Sequence, residues 1–454
     1  VARDKDVLQH MAFPVLAVVA ARPAAAAPRG GETVEAHAGR PRVAGAARTA
    51  VRKPVERGWK QMRRAWLVVL MVVAVLAAPA LAQETPTIKV GAIITYTGPT
   101  SDVGSHYGDG IRDYFRWLAE EHGGIVETAF GPVRVELVWT DDQYNPQVAL
   151  TALRRFVSEE NIVGVITWGT GANLALMDEL NRSEVPALSA SFHRGLLDPP
   201  GQYNFFISTN YDNHMRVLID YAVNQHTGSS PMRIAFSVHP SPFGRSPLEA
   251  GRAYAEHLGL SVVASQELAA DVLDATGQVL ELRRSGAEYV FFQNVAQPVS
   301  VFLRDARRQG LRAQFLGIHY AGGEELLHLA GRNADGFITT SATVTWDTDV
   351  PGMEFVRSLN ARYHPNVAVR PPHYAQGVVT AMVLTEALRR ATAPTGRAVK
   401  EALETLKEFD VGGVAPPITF GPDRHWGADT LYLYRIDANA NRLVFIGEFS
   451  PNYD

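Results

Sequence analysis

Ile88-Lys-Val-Gly-Ala-Ile-Ile94, closed by the loop Thr97-Gly98-Pro99, reads as a short buried strand. The segments after it set the fold class. Asp109 to Glu121 has helical spacing, Val133 to Trp139 is strand-like, and Asn145-Pro146 opens a helix that runs through Phe156. Ile162 to Thr167 is again a strand, Asn173 to Asn181 a helix, and Ala187 to Ser189 starts another strand. Strands that alternate with helices imply a parallel sheet covered on both faces. The rhythm then restarts. Ile234 to Val238, Ser261 to Ala264, Tyr289 to Gln293 and Gln314 to Gly317 are strands. Between and after them, Leu248 to Leu258, Ala275 to Ser285 and Val299 to Gln309 are helices. Two α/β sheets in tandem predict two lobes of similar build.

Upstream of this region the composition changes. Met62-Arg-Arg64, an apolar run from Ala65 to Leu81 and the triplet Ala80-Leu-Ala82 are the parts of a secretory signal peptide, with cleavage expected after Ala82. A membrane anchor is the competing reading. The run of about 17 residues is at the short end for a span and finishes in a cleavage signal, so cleavage is favoured. Residues 1–61 are rich in Ala, Arg, Pro and Gly without periodicity. They read as upstream sequence included by a wrong start site, the alternative being a genuine disordered extension. The remainder is long enough for two domains. Its mixed charge, with −4 net for the whole 454-residue chain, gives no reason to expect nucleic acid. The chain has no cysteine, which excludes disulfides, Cys-ligated zinc, a thiol nucleophile and a lipid-bearing cysteine. An exported chain of this kind is expected in a periplasm.

Seven motifs in order carry a resemblance. They are Gly91-Ala-Ile-Ile-Thr-Tyr-Thr-Gly-Pro99 with Gly104, Trp139-Thr-Asp-Asp-Gln-Tyr-Asn-Pro146, Gly164-Val-Ile-Thr-Trp-Gly-Thr-Gly171 and Pro186-Ala-Leu-Ser189. Leu303-Arg-Asp-Ala-Arg-Arg-Gln-Gly-Leu311, His373-Tyr-Ala-Gln-Gly377 and Phe409-Asp-Val-Gly-Gly413 complete the set. Together they resemble the leucine/isoleucine/valine-type periplasmic solute-binding proteins of ABC transporters, over residues 87 to 449. The resemblance implies the type I periplasmic-binding-protein fold: α/β, two Rossmann-like lobes joined by a three-stranded hinge. Lobe 1 is expected from 83–207 and 338–427, and lobe 2 from 208–337 and 428–454. Closure of the lobes over a ligand would be a hinge transition, and the closed form would meet a membrane permease. The chain is expected to act as a monomer without cofactor or metal.

Ligands of open α/β sheets bind beyond the carboxyl ends of strands. There the segment Trp168-Gly-Thr-Gly171 offers glycine amides, the Thr170 hydroxyl and a helix N-terminus, a suitable cradle for a carboxylate. Thr170 could instead merely cap the helix, and Trp168 could be pocket wall or core. The resemblance implies that this loop, Thr170 with Gly171, holds the ligand's α-carboxylate. It also implies that Ser191 stands at an amide-donating position and His193 where a threonine is common. Phe243 would close on the ligand, with Val103 among the ligand-binding set. His193 as a surface histidine and Phe243 as core are the plainer alternatives. At Gly317-Ile-His-Tyr320 the chain departs from the pattern, because His319 occupies the place of a carboxylate that pairs with an ammonium. Either another acid, such as Asp102 or Asp212, reaches the site, or the ligand has no ammonium. A small carboxylate-bearing solute is the resulting expectation.

The remaining polar motifs read as structure. Asp141-Asp142 precedes Asn145-Pro146 and suits turn and helix-start chemistry. His373-Tyr374 begins a helix whose apolar face suits a core, and His425-Trp426 is assigned no chemistry. Two other functions compete. A sensor of the same fold would need a signalling partner. A secreted hydrolase could draw on Ser189, Ser191 and His193, but no Gly-x-Ser-x-Gly elbow surrounds either serine and no His-Glu-x-x-His motif occurs. Catalysis is therefore not expected.

Overall fold

A computed structural model describes residues 85–199, 202–228 and 231–452. The extension 1–61, the leader 62–82 and its cleavage point lie outside the described residues. Strands β1 (Thr87–Ile94), β2 (Ile125–Thr128), β3 (Gly131–Asp141), β4 (Val165–Thr167), β5 (Ala187–Ser189) and β6 (Asn204–Phe205) form one sheet in the order β2-β3-β1-β4-β5-β6. Only β2 is antiparallel to its neighbour. β1 shows why its sequence is almost continuously apolar: Ile88, Val90, Ala92 and Ile94 enter one core and Ile93 another, as expected of a strand buried on both faces.

The second sheet contains β7 (Arg233–Val238), β8 (Ser261–Glu267), β9 (Tyr289–Gln293), β10 (Gln314–Gly317), β11 (Ile338–Ser341), β12 (Leu431–Asp437) and β13 (Arg442–Phe449). Its order is β13-β12-β11-β10-β9-β7-β8, parallel except for the β11–β12 and β12–β13 pairs. β11 pairs with β10 and β12. The return of the chain to the first lobe therefore falls after Ser341, not at residue 338 as the sequence suggested.

The chain passes between the sheets three times, and the passages brace one another. Phe206 donates its amide to the His425 carbonyl at 3.1 Å and accepts from the Gly427 amide at 2.8 Å, while Val344 donates to Val414 at 2.8 Å. The buried His425 ring stacks on Phe205 at 3.8 Å and bonds to the Asn204 carbonyl and the Glu404 carboxylate. The motif given no chemistry is thus a clamp on the first and third passages. The Asp141-Asp142 pair does turn work: Asp141 accepts from Tyr96, Thr97 and Gln143, and Asp142 from Thr95 and Tyr144.

Several helices depart from their sequence limits, the one that begins at Thr170 rather than Asn173 among them, and the first helix departs furthest. It spans Ser101–His122 rather than starting at Asp109. Gly104, Gly108 and Gly110 make its first half look like loop, since glycine disfavours helices. They are there for close approach. A Cβ on Gly110 would stand 2.2 Å from the Tyr374 carbonyl oxygen, and one on Gly377 2.1 Å from that of Tyr107. The helix Pro372–Arg390 therefore meets Ser101–His122 backbone to backbone. A methyl here forces two buried helices apart, an overpacking change that costs about 1–3 kcal/mol. Gly110→Ala is expected to lower the denaturant-unfolding free energy by about that amount; an unchanged midpoint would show that the crossing is soft.

Candidate functional site

The carboxyl ends of β4 and β5 deliver Trp168-Gly-Thr170 and Ala190-Ser191 to one small cavity. Tyr211, Phe243, Val295 and Tyr320 close it from the other lobe. Its volume is about 20 Å³, room for roughly one water, so a larger solute can enter only when the lobes part. Of the residues anticipated from sequence, Thr170, Trp168, Ser191 and Phe243 share this cavity. The helix Thr170–Ser183 starts at its wall, which places the positive end of the helix dipole there.

The polar part of the wall is a group of hydroxyls. Thr170 Oγ1 and Ser191 Oγ lie 2.7 Å apart, and the Tyr211 hydroxyl is near enough to both for them to favour its ionised form slightly. Burial raises the Tyr211 and Tyr320 hydroxyls far above the ordinary tyrosine value, and pushes Tyr144 up to about 12. All three remain neutral donors at physiological pH. Aromatic rings supply the rest. Trp168 meets Tyr320 edge-on at 5.1 Å and donates its indole N–H to Thr100 Oγ1 at 3.0 Å. Phe243 lies 5.6 Å from Tyr211. No lining residue carries a charge.

Contacts across the cleft hold this arrangement shut. The Tyr320 hydroxyl donates to the Ala190 carbonyl and accepts from the Gln376 amide at 3.1 Å. The Asp102 carboxylate accepts from the Gln297 backbone N–H at 3.2 Å, at the start of the helix Ala296–Arg308. Asp102 is therefore a latch across the lobes and does not line the cavity.

Four anticipated residues stand elsewhere. Gly171 lies beyond the wall; Gly169, with φ +82°, makes the close approach instead. Val103 is fully buried in the core behind the cavity. His193 uses Nδ1 to accept the Gly195 amide at 2.9 Å and faces a separate, larger chamber. His319 points into the hinge, where Nε2 lies 3.0 Å from Gln376 Oε1 and Nδ1 accepts the Ala342 amide. Its neighbour Tyr320 takes the cleft position, because both sit in a one-turn 3₁₀ segment whose successive side chains splay by about 120°. The Ser191 amide, anticipated as a donor to ligand, is bonded to Ser189 Oγ at 2.8 Å. Sequence reasoning missed Tyr211 and Tyr320, and had Gly169 only as one of the glycines of its loop. Of the two tyrosines, only Tyr320 carries a signal, as the neighbour of His319.

Three buried histidines meet beneath the site. His319 is 5.1 Å from His373 and 6.1 Å from His214, ring to ring. His214 bonds to Thr340 and Ser208. Neither ring nitrogen of His373 has a well-formed hydrogen bond, although Gln376 is near enough to favour its charged form slightly. Burial lowers all three, His319 to about 4, and the proximity of His319 lowers the other two further.

A family model described as periplasmic binding protein matches residues 87–441. The chain is 24% identical over 373 residues to the Leu/Ile/Val-binding protein homolog 7 of Brucella suis, covering 79% of this chain and 90% of that one. A branched chain amino acid ABC transporter structure from Thermus thermophilus, with bound valine, superposes with a TM-score of 0.74 at 32% identity, over 82% of this chain and 97% of that one. A fatty acid ABC transporter substrate-binding protein from Thermomonospora curvata has a TM-score of 0.70 at 19% identity, over 82% and 96%. At that identity the last likeness concerns fold alone.

The histidine cluster has a pH signature. A group whose folded pKa is depressed leaves the unfolded chain holding more protons below its ordinary pKa of about 6.5. Its neutral burial thus costs nothing at pH 7.5 and destabilises progressively as pH falls. Buried acids such as Glu324, raised to about 7 by burial, act in the opposite sense, so the comparison must be between variants. His373→Leu is expected to gain stability relative to the parent chain between pH 7.5 and pH 5 in urea titrations. A difference that does not change with pH would mean that His373 keeps an ordinary pKa.

Proposed function

The chain belongs to the periplasmic binding protein family, and on that premise we propose that it captures a carboxylate-bearing solute of amino-acid type for an ABC importer. The observation that carries this reading is the hydroxyl group of three, Thr170, Ser191 and Tyr211, beside a helix N-terminus in a charge-free cavity between two lobes. Neutral donors and a helix dipole suit an anion without a counter-ion. Trp168, Phe243 and Tyr320 form an apolar surround for a side chain. The valine bound in the Thermus thermophilus structure supports the same class of solute.

The lobes fall on either side of the three passages, and closing would bring Tyr320 to Ala190 and Asp102 to Gln297. The closed form is what a membrane permease would recognise, with the chain working as a monomer in the periplasm after removal of its leader. Catalysis finds no support in the geometry. Ser191 Oγ is bonded to Thr170, and His193, the base nearest in sequence, spends Nδ1 on the Gly195 amide in another chamber. A sensor of the same fold would use the same cavity.

Losing a hydrogen bond to a charged group costs about 1.5–3 kcal/mol. Thr170→Ala and Tyr211→Phe are each expected to weaken solute binding by that amount. A thermal-shift comparison of leucine with leucinol, which lacks the carboxylate, and with 4-methylpentanoate, which lacks the ammonium, identifies the recognised group. Leucinol should give no stabilisation. Equal shifts from leucine and leucinol, with both variants unaffected, would remove the carboxylate assignment.

A further inference from the structure

Next to the closed cavity lies a second, larger space of about 880 Å³. The walls of the two are adjacent in sequence: Ser191 and His193, Tyr211 and Asp212, Phe243 and Pro242. One side is the loop from His193 to Asp198, and the other is formed by the helices Tyr211–Gln225 and Leu248–His257. A groove of about 520 Å³ continues from it past Asn210 and Trp426, sharing Arg194, Asp212 and Arg216.

Two groups in this chamber each hold a buried polar atom without a hydrogen-bond partner, although Asp212 feels the charges of Arg194 and Arg216. Asp212 is 9% exposed, and its Oδ1 is buried without a hydrogen-bond partner. Arg216, one turn later on the same helix, has a buried Nε that is equally unpartnered. Its guanidinium is held 5.5 Å over the Tyr254 ring. Residues at i and i+4 stand about 5–6 Å apart at Cβ, yet these two form no ion pair with each other. Folding normally pairs such groups. An unpaired acceptor beside an unpaired donor, in a space that a small molecule can enter, matches a ligand carrying the opposite set.

We propose that this chamber is a second binding site, for the zwitterionic head of an α-amino acid, with the ammonium on Asp212 and the carboxylate on Arg216. Arg194, also in the wall, is near enough to Asp212 to favour its ionised form, the form that an ammonium needs. The side chain of the ligand runs along Pro242, Ala250 and Ala253 or out into the adjoining groove. The site is independent of the carboxylate assignment in the closed cavity, since the two share no residue.

Calorimetric titration of the full chain with L-leucine and with L-glutamine tests it. At least one of them is expected to show a binding event that Asp212→Asn and Arg216→Met each weaken tenfold or more and that Thr170→Ala leaves within twofold. 4-Methylpentanoate and 3-methylbutylamine, each half of the leucine zwitterion, should not produce that event. The Asp212→Asn chain without ligand should melt no lower than the parent, because the buried Oδ1 accepts no hydrogen bond in the fold and burial disfavours its charge. The proposal is overturned if no event with either amino acid depends on Asp212 and Arg216. It is also overturned if Thr170→Ala abolishes the same event, or if Asp212→Asn unfolds more readily, which would make the carboxylate structural.

Discussion

Each lobe is discontinuous in sequence, so three stretches of backbone must be buried side by side between the sheets. Buried N–H and C=O groups need partners, and that requirement sets the chemistry of the whole centre. Phe206 pairs with His425 and Gly427, and Val344 with Val414. Thr340 serves both His214 and the His319 amide. The hinge is consequently polar, rich in threonine and histidine, although it is as dry as the core. His214, His319 and His373 stay neutral there because burial disfavours the charged ring, and His214 and His319 serve as neutral hydrogen-bonding groups.

The cleft inherits its position from this bracing. Strands β4 and β5 end at Thr167 and Ser189, and the loops beyond them face the other lobe because the passages fix the two sheets across a narrow gap. Backbone approaches closely where glycine permits it. Gly110 and Gly377 let two helices touch behind the site, and Gly169 lets the loop turn at its edge. Side chains then complete the wall with rings and hydroxyls.

Much of this could be read from the sequence, and the failures have physical causes. Ala187–Ser189, Tyr289–Gln293 and Gln314–Gly317 are strands with the limits that their apolar runs suggested. Thr170, Trp168, Ser191 and Phe243 meet in one cavity because strand ends in a parallel sheet converge. The first turns of helix Ser101–His122 were invisible, since glycines that serve helix contact look like glycines that serve a loop. His319 and Tyr320 were exchanged, because spacing cannot tell which of two neighbours a tight turn sends into the cleft. His193 was placed by resemblance to a threonine position. A hydroxyl that donates and a ring nitrogen that accepts from its own loop are not equivalent, and the imidazole turned to the next chamber. Tyr211 had no signal at all: its role depends on where the first passage ends, a feature of tertiary structure.

The lack of charge in the closed cavity bears on how such a receptor releases what it holds. A buried ion pair with the ligand would be strong once formed, but breaking it leaves an unpaired charge in a dry site. Hydroxyls and a helix end leave no such residue. When the lobes part, Thr170 and Ser191 can still satisfy one another across their 2.7 Å contact, and the Tyr211 hydroxyl, on the other lobe, meets water. Micromolar capture needs only about −8 kcal/mol, within reach of a few charge-assisted hydrogen bonds and an aromatic surround. A receptor built on mutually satisfiable neutral donors can therefore bind an anion firmly enough to collect it and still open without a large electrostatic barrier. The polar work of closing falls instead to contacts between the lobes, Tyr320 with Ala190 and Asp102 with Gln297, which form whatever the ligand's charge.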